Sequence, residues 1–315
     1  MENKVRVYLF TGFLESGKTS FIQDTVLNDD FHYNEKTLIL SCEEGVEAYN
    51  EEALKKADCD VVYVDDESTI TPDYLSELNQ KYHPTQVMVE YNGMWNSQEF
   101  IHEKCIDPWM VVQVLTTINA ETFDIYYNNM RSQFVDHVTQ SDLVIINRCD
   151  KNTKKYVVRG SIKSLNPRAQ IIYENKNHQI ENITSDDLPY QLNDEYIEIK
   201  DMDYGIFCMD IMEHPENYEN KTLKLKAQVI GRDKILKNGF VFGRQAMVCC
   251  SEDTQLLGLV CVSPLADKLI PHEWLTLEGT IAVEFDDSIQ SQIPILYVDK
   301  IEPAKPLDND YVTFD

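Results

Sequence analysis

The pattern Gly12-x-x-x-x-Gly17-Lys18-Thr19 holds the residue types that grip a polyphosphate. Glycines let a backbone curl so that its N–H groups converge on anionic oxygens. A lysine brings a point charge to the outer phosphates, and a threonine hydroxyl can ligate Mg2+. Lys18 would take the phosphates and Thr19 the magnesium, with Gly12, Glu15, Ser16, Gly17 and Ser20 completing the cradle. The chemistry is tight binding of a nucleoside triphosphate and, with a positioned water, its hydrolysis. The bland alternative is a glycine turn that binds nothing. Glu15 sits awkwardly, because it puts a carboxylate in an anion-binding loop; it would face solvent, a second protomer or a metal.

Three other clusters could meet this loop. Residues 147–150 read Asn147-Arg148-Cys149-Asp150, an Asn-x-x-Asp at the end of an apolar run. A carboxylate there can accept from both the ring N–H and the exocyclic amine of guanine, and adenine offers neither at those places. That favours GTP over ATP, with Asn147 and Asp150 as base readers and the Arg148 stem over the ring. The other reading of Asp150 is a cap for the following helix. The run QVMVEYNGM ends in Glu90 and then Gly93, where an acid can hold the Mg2+ shell and an amide can sense the terminal phosphate. Glu43 and Glu44 follow another apolar run. Lys18, Glu43, Glu44 and Glu90 are thus the catalytic candidates, and Thr19 with Glu90 the magnesium ligands. A solvated turn is the equal alternative for Glu43 and Glu44.

These clusters need a scaffold that brings them to one edge. Short runs rich in Val, Ile and Leu, as strands buried on both faces should be, predict strands at 5–11, 37–41, 61–64, 86–90, 110–115, 143–147 and 170–173. Helical patterns lie between them at 19–27, 72–82 (Thr71 as N-cap, Pro72 in the first turn), 120–138 and 152–165. The alternation predicts an α/β domain with a mostly parallel sheet covered by helices, over residues 1–175. In such a sheet ligands sit at the carboxyl ends of the strands, where all the clusters fall. Residues 176–195, dense in Asn and Asp, read as a linker. A helix at 204–212 and strands at 222–230, 240–250, 256–262, 275–285 and 293–301 then predict a small OB-like barrel over 196–315.

The net charge of −26 narrows the partners. Both halves contribute, −17 as far as Ile199 and −9 beyond it. Such a field repels DNA, RNA and anionic lipid and favours cations or basic proteins, or it simply confers solubility. No run approaches the ~18 apolar residues of a membrane span, so the protein is not expected to be a membrane protein itself. The N-terminal residues lack a signal-peptide cleavage pattern. Eight cysteines without a C-x-x-C pair point to reduced thiols and a cytoplasmic location. Cys249, Cys250 and Cys261 fall on adjacent predicted strands and could bind a soft metal such as Zn with help from Cys208, His214 or His272. Their other reading is core packing, since free cysteine is among the most buried residue types.

TGFLESGKTSF, VMVEYNGM and VIINRCD, in that order and with NPRAQII downstream, resemble the CobW-type GTPases of the SIMIBI class of P-loop proteins. The resemblance spans residues 5–175. It implies GTP hydrolysis with Mg2+, a homodimer formed on GTP binding, and metal delivery or homeostasis. Three departures stand out. Glu15 replaces the family's usual Gly, and Arg148 its usual Lys. Residues 64–69 hold Asp65, Asp66 and Glu67 where the family's C-x-C-C metal motif would fall. Residues 200–315, with FVFGRQAMVCCSEDTQLLGLVCV and WLTLEGTI, are similar to the soluble domain of YcgQ-type permease subunits. That implies a permease complex or a metalloprotein client as partner. Two functional classes follow: a GTPase whose cycle gates delivery, or a non-catalytic switch that docks on a membrane complex.

Overall fold

A computed structural model describes residues 4–28, 35–184, 187–233, 236–247, 254–286, 290–307 and 311–312. In chain order its first part runs β1 (Val5–Thr11), α1 (Lys18–Leu27), β2 (Thr37–Ser41), α2 (Glu51–Lys56), β3 (Cys59–Tyr63), α3 (Pro72–Tyr82), β4 (Gln86–Glu90), α4 (Ser97–Glu99), β5 (Trp109–Asn119), α5 (Phe123–Asn129), α6 (Arg131–Thr139), β6 (Leu143–Cys149), α7 (Lys155–Leu165), β7 (Gln170–Asn175) and β8 (Ile180–Glu181). The chain divides into two compact units, Met1–Thr153 with Leu165–Asn182, and Lys154–Ser164 with Ile183–Asp315.

The first unit is built on an eight-stranded sheet in the order β3-β2-β4-β1-β5-β6-β7-β8. Its pairings are parallel except the last, β7 with β8. Strand alternation sorts the side chains onto two faces. Val7, Leu9, Leu38, Leu40, Val87 and Val89 pack into one cluster; Phe10, Ile39 and Met88 pack with Ile22 and Val26 of α1 into another. Both faces are therefore apolar, which is why these strands read as continuous hydrophobic runs. Thr71 caps α3 by accepting from the Tyr74 N–H at 3.2 Å, with Pro72 in the first turn, as the sequence indicates. The stretch 120–138, expected as one helix, divides at Met130 (φ −132°, ψ 46°). In the last turn of α5 Asn129 Nδ2 donates to the Ile125 carbonyl at 2.7 Å.

The second unit continues with β9 (Tyr196–Glu198), α8 (Tyr204–Glu213), β10 (Thr222–Arg232), β11 (Gly239–Met247), β12 (Thr254–Val262), β13 (Trp274–Asp286), β14 (Ser291–Pro303) and β15 (Tyr311–Val312). Its sheet closes on itself. β10 pairs antiparallel with both β11 and β13, β11 with β12, β13 with β14, and the parallel pair β12–β14 completes the ring. The barrel order 1-2-3-5-4-1 is the OB-like arrangement the spacing predicts. Alternate residues of β10, Leu223, Leu225, Ala227 and Val229, fill the interior. At one side of this core Asp210 accepts from Tyr218 (2.6 Å) and Tyr156 (3.2 Å), a buried polar group with its partners supplied. Within the stretch expected as a linker, Ile180–Glu181 adds a strand to the first sheet, and Leu188 and Tyr190 pack into the second core. No helix among the described residues is long and apolar enough to cross a membrane.

Candidate functional site

The loop after β1 turns through two glycines in left-handed backbone, Gly12 (φ 128°) and Gly17 (φ 96°), and Glu15 between them also has positive φ (61°). Gly17 stands at the N-cap of α1 with no side-chain hydrogen bond to the first turn, so the helix start presents backbone donors. Ser16 is buried and its hydroxyl pairs with Thr117 on β5 at 2.7 Å, pinning the loop to the sheet. Lys18 is only 2% exposed; its Nζ donates to the carbonyls of Gly12 (2.7 Å) and Phe13 (2.9 Å) and lies 2.6 Å from Glu43 Oε2.

Glu90, at the carboxyl end of β4, is buried and fully engaged. It accepts from Thr19 Oγ1 at 2.5 Å, Tyr49 at 2.8 Å and Ser41 at 3.0 Å. Burial, then the Glu90 charge, hold the Tyr49 phenol well above its ordinary range, so it stays a donor. The neighbouring cavity, about 200 Å3, is lined by Lys18, Thr19, Glu43, Glu47, Glu90 and Arg148 among others. The Ser20 hydroxyl donates to Glu47. Gly93 completes the group: its N–H donates to Glu43 Oε1 at 3.2 Å, and a Cβ there would come within 2.5 Å of the Gly12 carbonyl. Glu44 is exposed and lines an adjoining cavity with Phe13, Met94 and Tyr126 instead.

The strand-end motif at 147–150 is only partly drawn in. Asn147 Nδ2 donates to the Ser16 carbonyl at 2.7 Å and Arg148 to the Glu15 carbonyl at 3.0 Å, tying β6 to the phosphate loop. Asn147 Oδ1 is buried without a protein partner, an acceptor that a bound group can satisfy. Both residues line a second cavity of about 700 Å3 that runs from Gly17 to Glu121, Glu174 and His178. Asp150 is exposed and turned into its own loop, accepting from the Asn152 N–H at 2.8 Å. That bond holds its carboxyl below the usual range. Its carboxylate closes a local turn at 150–153, while α7 begins only at Lys155, so Asp150 does not cap that helix.

Sequence reasoning passed over Ser41, Tyr49, Glu47 and His137. His137 is buried on α6, edge-on to Phe13 at 4.8 Å, with Nε2 3.0 Å from the Gly93 carbonyl. Burial, helped by the Lys18 charge, lowers its pKa to about 4. The unfolded chain, near the ordinary 6.5, binds a proton first as pH falls, so stability is complete above about 6.5 and lost on descent towards 4. We expect His137→Gln to remove up to about 3 kcal/mol of that slope, measured as urea midpoints between pH 7 and 4. Glu121 and Glu174 were legible in principle, since both lie at or just beyond carboxyl ends of parallel strands.

The other acidic and sulfur candidates that the structure describes are held by partners or burial of their own. Asp66 accepts from the Ser68 N–H at 2.9 Å, and Glu67 engages Tyr91 and Lys104, so this turn is held by protein groups. Cys249 and Cys250 lie outside the described residues. Cys261 is fully buried in the barrel core, and burial pushes its thiol up. Among the described residues no group of three or more His, Cys, Asp or Glu is arranged to hold a metal.

Residues 6–173 match the family model described as CobW/HypB/UreG, nucleotide-binding domain, and residues 174–313 match the DUF1980 C-terminal domain. Among solved structures the chain is similar to Zn(II)-bound YjiA GTPase from E. coli (15% identity, 93% of each chain covered, TM-score 0.43). It is similar also to the hydrogenase maturation factor HypB from Archaeoglobus fulgidus (14% identity, 56% of this chain and 83% of that one, TM-score 0.39). A third is HypB from Helicobacter pylori in complex with nickel (12%, 56% and 81%, TM-score 0.36). No curated protein matches the chain.

Proposed function

The chain belongs to the CobW/HypB/UreG nucleotide-binding family, and from that premise we propose that it binds GTP with Mg2+ and hydrolyses it. The observation that carries the reading is the double tie of Asn147 and Arg148 to the carbonyls of Ser16 and Glu15, which joins the base-reading strand end to the phosphate loop. Guanine would lie in the larger cavity, with Asn147 beneath it and Asp150 released from Asn152 to meet the base edge. The triphosphate would follow the loop amides to Lys18.

The donor set fits magnesium, because the Thr19 hydroxyl and the Glu90 carboxylate are adjacent hard oxygen ligands. When bound, Mg2+ neutralises charge on the outer phosphates. The chain's own groups do the remaining work. Tyr49 and Ser41 hold Glu90 in one orientation. Lys18 orients the phosphates and stabilises the charge that develops as the terminal bond breaks. The Gly93 amide meets the terminal phosphate, and Glu43 and Glu44 flank the water that attacks it. The division proposed is a nucleotide unit at 1–175, a linker at 176–195 and the barrel at 196–315.

The nucleotide cycle would act in the cytoplasm on delivery of a metal or cofactor, or on a permease-type partner. Leu14, Val46 and Met94 expose apolar surface around the phosphate cavity, which supports a homodimer closing there on GTP binding. A soft metal at Cys249, Cys250 and Cys261 remains part of this proposal. The second reading, a switch with slow turnover, is favoured by the direct hold of Glu43 on Lys18. Equilibrium competition tests the base: GTP should resist displacement by equal ATP, and the opposite result overturns guanine specificity. Phosphate release with and without Mg2+ then separates enzyme from switch.

A further inference from the structure

We infer that Glu43 sets the preference of this site between nucleoside triphosphate and diphosphate, because its carboxylate occupies the contacts a terminal phosphate must take. The inference rests on the reading of this loop as a nucleotide site. Glu43 Oε2 lies 2.6 Å from Lys18 Nζ, and Oε1 accepts from the Gly93 N–H at 3.2 Å. A carboxylate and a terminal phosphate are both anions that present oxygens to the same ammonium and the same amide.

Lys18 has three protons to donate, and three acceptors surround it: the Gly12 carbonyl, the Phe13 carbonyl and Glu43. A terminal phosphate therefore gains the ammonium only by replacing one of them. The two carbonyls are the loop itself and cannot leave unless the cradle opens. Glu43 sits at the start of a turn whose residues Glu44, Gly45, Val46 and Glu47 are exposed, so it can swing away. Gly93 is fixed by contrast. Its carbonyl is met by His137 Nε2 at 3.0 Å, and it packs against the Gly12 carbonyl. Glu47, on the same turn, accepts from Ser20 and latches the turn to α1.

A diphosphate ends one phosphate short and leaves Glu43 on Lys18 and Gly93. A triphosphate must expel it. The glutamate therefore opposes the triphosphate selectively, and the turn moves only when the third phosphate arrives.

Glu43→Gln keeps the shape and removes the charge; Glu43→Asp keeps the charge and shortens the reach. Dissociation constants of both variants and the wild type are measured with Mg2+ for GTP, GDP, ATP and ADP, with thermal unfolding as a check on folding. Glu52→Gln, on the exposed side of α2, controls for loss of one negative charge. In Glu43→Gln the triphosphate constant should fall about tenfold and the diphosphate constant shift less than about threefold, with Glu43→Asp intermediate. An unchanged ratio, or weaker triphosphate binding, overturns the role of Glu43. If the ratio moves in the adenine series and guanine does not bind, only the base assignment falls. If the wild type binds neither series, the nucleotide reading falls and the role of Glu43 with it.

Discussion

Lys18→Ala should weaken triphosphate binding by roughly a hundredfold or more, the loss of two charge-assisted bonds worth about 3 kcal/mol together. The fold should survive it. Removing the side chain strands the carbonyls of Gly12 and Phe13 and the carboxylate of Glu43. A trapped charge left without its partner costs about 3–5 kcal/mol. Glu43 is not trapped, because its turn is exposed and the carboxylate can rotate into water. The destabilisation should then be on the order of 1–2 kcal/mol. Nucleotide titration beside urea unfolding checks both halves. The double variant Lys18→Ala with Glu43→Ala should recover little of that stability, because the Gly12 and Phe13 carbonyls stay stranded whether or not Glu43 is present. Wild-type affinity in Lys18→Ala would overturn the assignment of the lysine to the phosphates.

Gly12→Ala is expected to be the most damaging single methyl group in the first unit. Gly12 has φ 128°, outside the range of L side chains, and its Cβ would lie 2.4 Å from the Thr117 carbonyl and 2.8 Å from Ser16 Oγ. The obstacle is backbone, and β5 cannot retreat because β1 and β6 hold it on both sides. Backbone strain of about 1–3 kcal/mol adds to the cost of shifting a packed strand or opening the loop. We expect a loss above about 3 kcal/mol together with loss of nucleotide binding. Gly45→Ala is the matched control. Its nearest neighbour, a Leu14 methyl, would be 3.8 Å from the new Cβ, so unfolding midpoints should scarcely move. Equal effects of the two substitutions would show that the loop lacks this close contact.

The parts visible in the sequence were those with local causes. Continuous apolar runs mark strands buried on both faces, and β1, β2 and β4 begin and end where those runs do. Thr71 and Pro72 announce α3 by cap chemistry alone. The phosphate loop is legible because its glycines answer to backbone angles that few residues adopt. What stayed hidden was decided by distant partners. Nothing near Tyr49 tells of Glu90, forty-one positions away, and nothing near His137 tells of the Gly93 carbonyl. Glu43 was legible as an acid at a strand end, but its hold on Lys18 appears only when β2 and β4 flank one another. Asp150 shows the opposite pull, a local turn engaging a residue to which the sequence assigns a long-range role. Asn152 is two residues away and satisfies its carboxylate at once.

Glu15, Glu43, Glu47 and Glu90 surround the phosphate cavity, against Lys18 and Arg148. A polyanion arriving bare meets more negative than positive charge at the mouth, inside a molecule of net charge −26. The usual electrostatic funnel for nucleotides is therefore inverted. Dissolved ions that screen the rim should speed entry rather than slow it, and a nucleotide already carrying its divalent ion enters ahead of the naked one. If the site takes its nucleotide with Mg2+ as proposed, its loading should therefore rise with the free concentration of that ion.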